Sequence, residues 1–288
     1  VFRALIAPKH LDYLDPLSQE QPVAPPPVPL TPATPSGDDG NGAEAVVDLI
    51  DVVLVLVAAG VSLFLFSVVA ISIAYYGHGA HPADARALAM NAFVLVPAEA
   101  MAYVFTLGFA AYLVILRHGV GLRRAIRWNM PDAQKALTAL AGGAALGLTS
   151  QLLSGLLQRW IPKSLPIDQF FRDTGSAYLL AFFGILIAPL MEELFFRGFV
   201  YPAVARWTGV VPSVIITGGA FAMLHQGQLA RAWVPLLILF AVGVVITVVR
   251  VRTRSVATCV FVHMGYNLAI FTLLFIITQG FRHMEKAS

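Results

Sequence analysis

Charge-free apolar runs constrain this chain more than any other feature. Val52 to Tyr75 holds no charged residue, and a helix needs about 20 mostly apolar residues to cross the hydrocarbon core of a bilayer. Six further apolar runs follow: Ala87–Leu116, Ala136–Gln158, Ala177–Phe196, Trp207–Leu224, Ala232–Val249 and Ser255–Gln279. Composition agrees, with 58% hydrophobic and only 12% charged residues over 288 positions, where a soluble domain is about a quarter charged. The expected fold class is all-α: a polytopic membrane helix bundle of about seven or eight spans with a proline-rich N-terminal extension. The eighth span is a helix that hydropathy would miss where a long apolar run folds back on itself.

The division into domains follows from composition. Residues 1–45 form an N-terminal segment and linker, and residues 46–288 the transmembrane domain. Val1 to Pro16 mixes apolar and charged side chains and has no basic region leading into an apolar one, so it does not read as a secretory signal. Its alternatives are a short amphipathic segment or a frayed end. Eight prolines between Pro16 and Pro35, followed by Ser36-Gly37-Asp38-Asp39-Gly40, give an extended spacer rather than a packed element. The N-terminal 45 residues are the expected site for any protein partner.

Net charge is +3, and the basic residues sit in the loops. The N-terminal segment and the loops after spans two, four and six hold 12 Lys and Arg, against 7 on the opposite side. The positive-inside rule then puts the N-terminus and the end of span four in the cytoplasm, with the protein in the inner membrane of the cell. No basic stripe is interleaved with exposed aromatics, so nucleic acid is not an expected partner. The single cysteine, Cys259, lies in an apolar run and reads as a buried thiol without a nucleophile motif.

Charge at membrane depth is expensive and marks function by default. Span four ends in Glu192-Glu193-Leu194-Phe195-Phe196-Arg197, span five in Phe221 to His225, and span seven carries His263 to Asn267. Residues four apart share a helical face, so Glu193 can pair with Arg197, Phe221 lies beside His225, and His263 projects with Asn267. Glu192 points about 100° away from Glu193 and is free to face another neighbour. Each pair alone has a structural reading: an ion pair, an interfacial histidine, a helix–helix hydrogen bond. Glu99 in span two belongs to none of these groups and is expected to matter less.

Together the three groups resemble the signatures of the CAAX protease and bacteriocin-processing family of intramembrane proteases: E-E-x-x-x-R, F-x-x-x-H and H-x-x-x-N, in that order on separate membrane helices. The resemblance covers roughly Ala136 to Gln279. It implies an intramembrane endopeptidase that hydrolyses a peptide bond near the C-terminus of a lipidated or membrane-bound substrate. It further implies Glu192 as general base, His225 as its aid in polarising water, Glu193 held by Arg197, and His263 with Asn267 as oxyanion donors. Membrane lipid and a peptide or lipidated protein are the expected partners. Cofactor need stays open between none and zinc, since Glu192, His225 and His263 have the ligand types of a two-histidine, one-carboxylate site. A rival reading is a non-catalytic membrane scaffold or accessory subunit that retains the protease fold. A transporter would call for internal repeats, and none is evident.

Overall fold

The computed structural model describes residues 46–77, 85–171 and 173–284. The N-terminal segment and proline-rich linker lie outside the described residues. Seven apolar helices follow in order: α1 (Leu49–Gly77), α2 (Ala92–His118), α3 (Ala133–Leu156), α4 (Thr174–Thr208), α5 (Val210–Leu224), α6 (Trp233–Thr253) and α7 (Val256–Ile277). All but α5 are long and apolar enough to cross a membrane, and no strand occurs among the described residues. This is the all-helical membrane bundle that the hydropathy predicts.

The largest departure from the expected boundaries falls between spans four and five. Span four was expected to stop at Phe196 and span five to open at Trp207. Instead α4 continues to Thr208 as a 35-residue helix. The break falls at Gly209, whose φ of +80° suits glycine and ends the helix. Hydropathy could not find this point because the chain is apolar on both sides of it. As a result α5 has only 15 residues. At 1.5 Å per residue it rises about 22 Å, short of the roughly 30 Å hydrocarbon core.

Two prolines shape α4. A proline ring clashes with the carbonyl four residues earlier. For Pro189 and Pro202 those carbonyls belong to Ile185 and Gly198, and each lies within a π-helical segment, Phe183–Ile187 and Leu194–Val200. The widened turn relieves the clash and keeps the helix continuous. Between the two segments lies the short α-helical piece Ala188–Glu193 that ends in the paired glutamates. Asp173 caps the start of α4. The Ser176 hydroxyl and backbone N–H donate to its carboxylate and hold its pKa below the ordinary range.

Without a hydrophobic drive between helices in lipid, close approach and polar contacts hold the bundle together. α1 buries only Asp51, Val55 and Ser62 and shows lipid large side chains such as Phe64 and Ile73. Its attachment to α2 is polar. Arg117 and His118, at the C-terminus of α2, both bind the fully buried Asp51 carboxylate, and Ser62 Oγ lies 3.2 Å from Thr106 Oγ1. The chain after α2 is tied to the α6–α7 turn by Asn129 Nδ2 donating to Arg254 O, and by Val256 N donating to Arg127 O. Arg250 fastens the same side to α4, its Nε donating to Arg197 O at 3.1 Å.

α3 and α7 approach most closely. A Cβ on Gly147 would lie 2.7 Å from Tyr266 O, and one on Gly143 would meet the Val262 carbonyl still closer. Gly142, the residue before Gly143, faces open space. Overpacking of this kind costs about 1–3 kcal/mol. Gly143→Ala and Gly147→Ala are therefore expected to lower unfolding stability by about that amount, while Gly142→Ala leaves it unchanged. Thermal melts of the three variants in one detergent check this.

Candidate active site

The site begins with a buried cation. Arg197, fully inaccessible, leaves α4 inside its second π segment and needs partners for its donors. Nη1 donates to Glu193 Oε1 at 2.7 Å, Nη2 to Gly243 O at 2.7 Å, and Nε to Thr247 Oγ1 at 3.3 Å. Gly243 and Thr247 lie one turn apart on α6, and the Thr247 hydroxyl donates to the same Gly243 carbonyl. α6 passes close there because Gly243 meets Gly218 of α5. A Cβ on Gly243 would lie 3.0 Å from the Gly218 backbone. The guanidinium also lies over the Phe221 ring, 5.1 Å from its centroid. Four helices thus converge on Arg197, counting the α7 histidine that meets its glutamate.

That histidine is His263, nearly fully buried. Its Nδ1 stands 2.8 Å from Glu193 Oε1. An ionised carboxylate only accepts, so Nδ1 carries the proton given to Glu193. Nε2 is then the nitrogen turned toward Glu192, 3.9 Å from Oε2, too far for a hydrogen bond. Among the described residues, the buried Glu192 Oε2, Glu193 Oε2 and Thr217 Oγ1 find no hydrogen-bond partner. Buried carboxylate oxygens left open are rare in folded proteins and call for a partner.

His225 stands at the C-terminal end of α5, half-buried, with Nδ1 2.9 Å from Phe221 O. The carbonyl only accepts, so Nδ1 donates and Nε2 remains the free nitrogen. The Phe221 ring contacts both imidazoles, 4.9 Å from His225 and 5.7 Å from His263. Asn267, one turn beyond His263, donates from Nδ2 to Gly184 O at 2.6 Å. That carbonyl lies in the first π segment of α4, where the widened turn frees it from the regular ladder.

The structure therefore gathers Glu192, Glu193, Arg197 and His263 in direct contact or near it. It sets His225 beside them through Phe221 and engages Asn267 with the α4 backbone. It does not assemble the zinc ligand set. Among the described residues no three His, Cys, Asp or Glu side chains group closely enough to hold a metal ion. Glu192, His225 and His263 do not fit one in this arrangement. Cys259 is fully buried, its thiol facing Ser255 O at 3.3 Å, and plays the structural part expected of it.

Sequence reasoning missed two contributions. Gly243 and Thr247 cradle Arg197, and a glycine and threonine four apart in an apolar span were the available signal. Tyr103 of α2 was the second: its hydroxyl donates to Glu99 Oε1 at 2.7 Å.

Buried carboxylates, an imidazole and a trapped arginine thus meet between apolar helices. Residues 174–269 match the family model described as type II CAAX prenyl endopeptidase, Rce1-like. The matched segment holds all three motifs. No curated protein and no solved structure matches the chain.

Removing one partner of a buried ion pair strands the other charge, at a cost of about 3–5 kcal/mol. Arg197→Met is expected to destabilise the protein by that amount. Adding Glu193→Gln should recover a large part of it. Chemical unfolding of the single and double variants in detergent tests the coupling.

Proposed function

We propose that the chain is an intramembrane endopeptidase that hydrolyses a peptide bond with water activated by Glu192. The observation that carries this reading is the open, buried Oε2 of Glu192, aimed toward His263 Nε2 and bound to no other group of the protein. An oxygen with no partner among the described residues is available to accept a proton from water. Glu192 takes that proton as the water oxygen bonds to the scissile carbonyl carbon. His225, whose free Nε2 faces away from its own helix, holds the same water.

The carbonyl oxygen becomes an oxyanion. His263 and the second N–H of Asn267 are the donors assigned to it, each of the kind worth about 3 kcal/mol in the transition state. Glu193 and Arg197 do not meet the substrate. Their pair fixes the His263 ring and supports the positive charge that an imidazolium would carry. This mechanism routes no step through a metal ion, consistent with the dispersed donor set.

The family match supports a substrate of the CAAX class, a peptide near the C-terminus of a lipidated or membrane-bound protein. We place the N-terminus and the α6–α7 turn in the cytoplasm and the protein in the inner membrane. Arg123, Arg124 and Arg127 follow α2, Arg250 and Arg252 end α6 and Arg254 follows it, all on that side, as the positive-inside rule favours. Residues 1–45 remain the proposed contact for a protein partner.

The test is cleavage of a fluorogenic prenylated tetrapeptide tail by the purified chain. Glu192→Gln and His263→Ala are each expected to lower turnover by about 10²- to 10⁴-fold without unfolding the protein. A chelator should leave the wild-type rate unchanged. Full activity in Glu192→Gln would sink the mechanism, and loss to chelator restored by zinc would sink its metal-free form.

A further inference from the structure

A groove of about 880 Å³ lies between α3 and α6, with α7 as its floor. That volume falls within the range of about 300–1,000 Å³ that ligand sites occupy. Each wall is one face of a helix. α3 contributes Lys135, Ala139, Gly142 and Leu146, and α6 contributes Val245, Val249 and Thr253, at steps of three or four residues. Gly142 makes the room, since a Cβ there would meet nothing within 4 Å. Gly143, one residue on, is instead pressed against the Val262 carbonyl of α7.

The groove lies behind the candidate active site. Arg197 binds Gly243 and Thr247 of α6. Val245 and Val249 are each two residues further on, about 200° round the helix. On α7, Val262 lines the groove while the next residue, His263, meets Glu193. A molecule in the groove is therefore walled off from Glu192 by α6 and α7. It is not the peptide being cut.

Polarity changes along the length of the groove. Asp132 and Lys135 stand at the start of α3, and among the described residues they are the charged groups that line it. Both are exposed, with Lys135 Nζ 2.9 Å from Asp132 Oδ2. Asn129, Thr253 and Ser255 lie at the same end, where Asn129 Nδ2 donates to Arg254 O. Beyond Ala139 the lining is apolar, through Gly142 and Val249 to Leu146 and Val245. From Asp132 to Leu146 the helix rises about 21 Å. One leaflet with its headgroups, half of a roughly 40–45 Å bilayer, measures about the same.

We infer that this groove binds one bilayer phospholipid with a zwitterionic headgroup, an acyl chain lying between α3 and α6. The length and the polarity of such a lipid match the groove from end to end. Its phosphate faces Lys135 and its ammonium faces Asp132. A headgroup with a negative charge alone would satisfy the lysine and be repelled by the aspartate. Bound there, the lipid fills the gap and holds α3 against α6.

The test is lipid titration of the purified full chain, read by native mass spectrometry. Phosphatidylethanolamine is expected to bind as one molecule per chain, more tightly than phosphatidylglycerol with the same acyl chains. Gly142→Leu, which fills the groove, should abolish that binding and leave unfolding in lipid-free detergent unchanged. Lys135→Ala should weaken phosphatidylethanolamine binding by up to about fivefold, the scale of one exposed ion pair. Equal retention by wild type and Gly142→Leu means annular lipid only and overturns the site. Equal affinity for the two lipids overturns the headgroup assignment. If Gly142→Leu does not fold, Val245→Phe decides by the same comparison, blocking the space from the opposite wall, where Val245 is exposed. A wild-type chain that binds neither lipid overturns the inference as a whole.

Discussion

A guanidinium buried among membrane helices organises this protein. An ion taken out of water costs several kcal/mol even after relaxation, and Arg197 is tolerable only because every side of it meets an acceptor. Glu193 supplies the charge, Gly243 a carbonyl and Thr247 a hydroxyl. Meeting those demands sets the distances between α4, α5 and α6. It also explains why glycines occur at the α5–α6 crossing, where a side chain would push the acceptor carbonyl away. His263 then takes its position from Glu193, so the geometry of the candidate site follows from satisfying one cation.

The second constraint is the backbone of α4. Prolines at 189 and 202 would ordinarily kink or end a helix. Here two π segments absorb them and rotate the paired glutamates relative to the rest of the helix. One carbonyl released in this way, that of Gly184, is taken by Asn267 of α7. The same local defect therefore aims Glu192 into the interior and pins the helix that carries His263. Irregular backbone at membrane depth persists only where protein covers it, and α7 provides that cover.

Much of this was legible from residues alone. The apolar runs announce the spans because a bilayer enforces length and the exclusion of charge. The three polar groups announce the site for the same reason. Other details were out of reach. The end of α4 at Gly209 is invisible to hydropathy, because lipid makes no distinction between two apolar helices and one. Gly142 and Gly143 look alike in sequence, yet only Gly143 faces α7, since the rotation of α3 is set by its neighbour. The zinc ligand types were present in the sequence, but ligand type does not bring three side chains to one point.

The sequence by itself determined that this protein is a helical bundle in a membrane and that Glu192, Glu193, Arg197, His225, His263 and Asn267 are its polar investment there. Those conclusions rest on solvation, a property each residue carries with it. Only the tertiary structure decided which oxygen stays open and which nitrogen faces it. Those are facts of distance between helices, and distance is set by packing that no single span encodes.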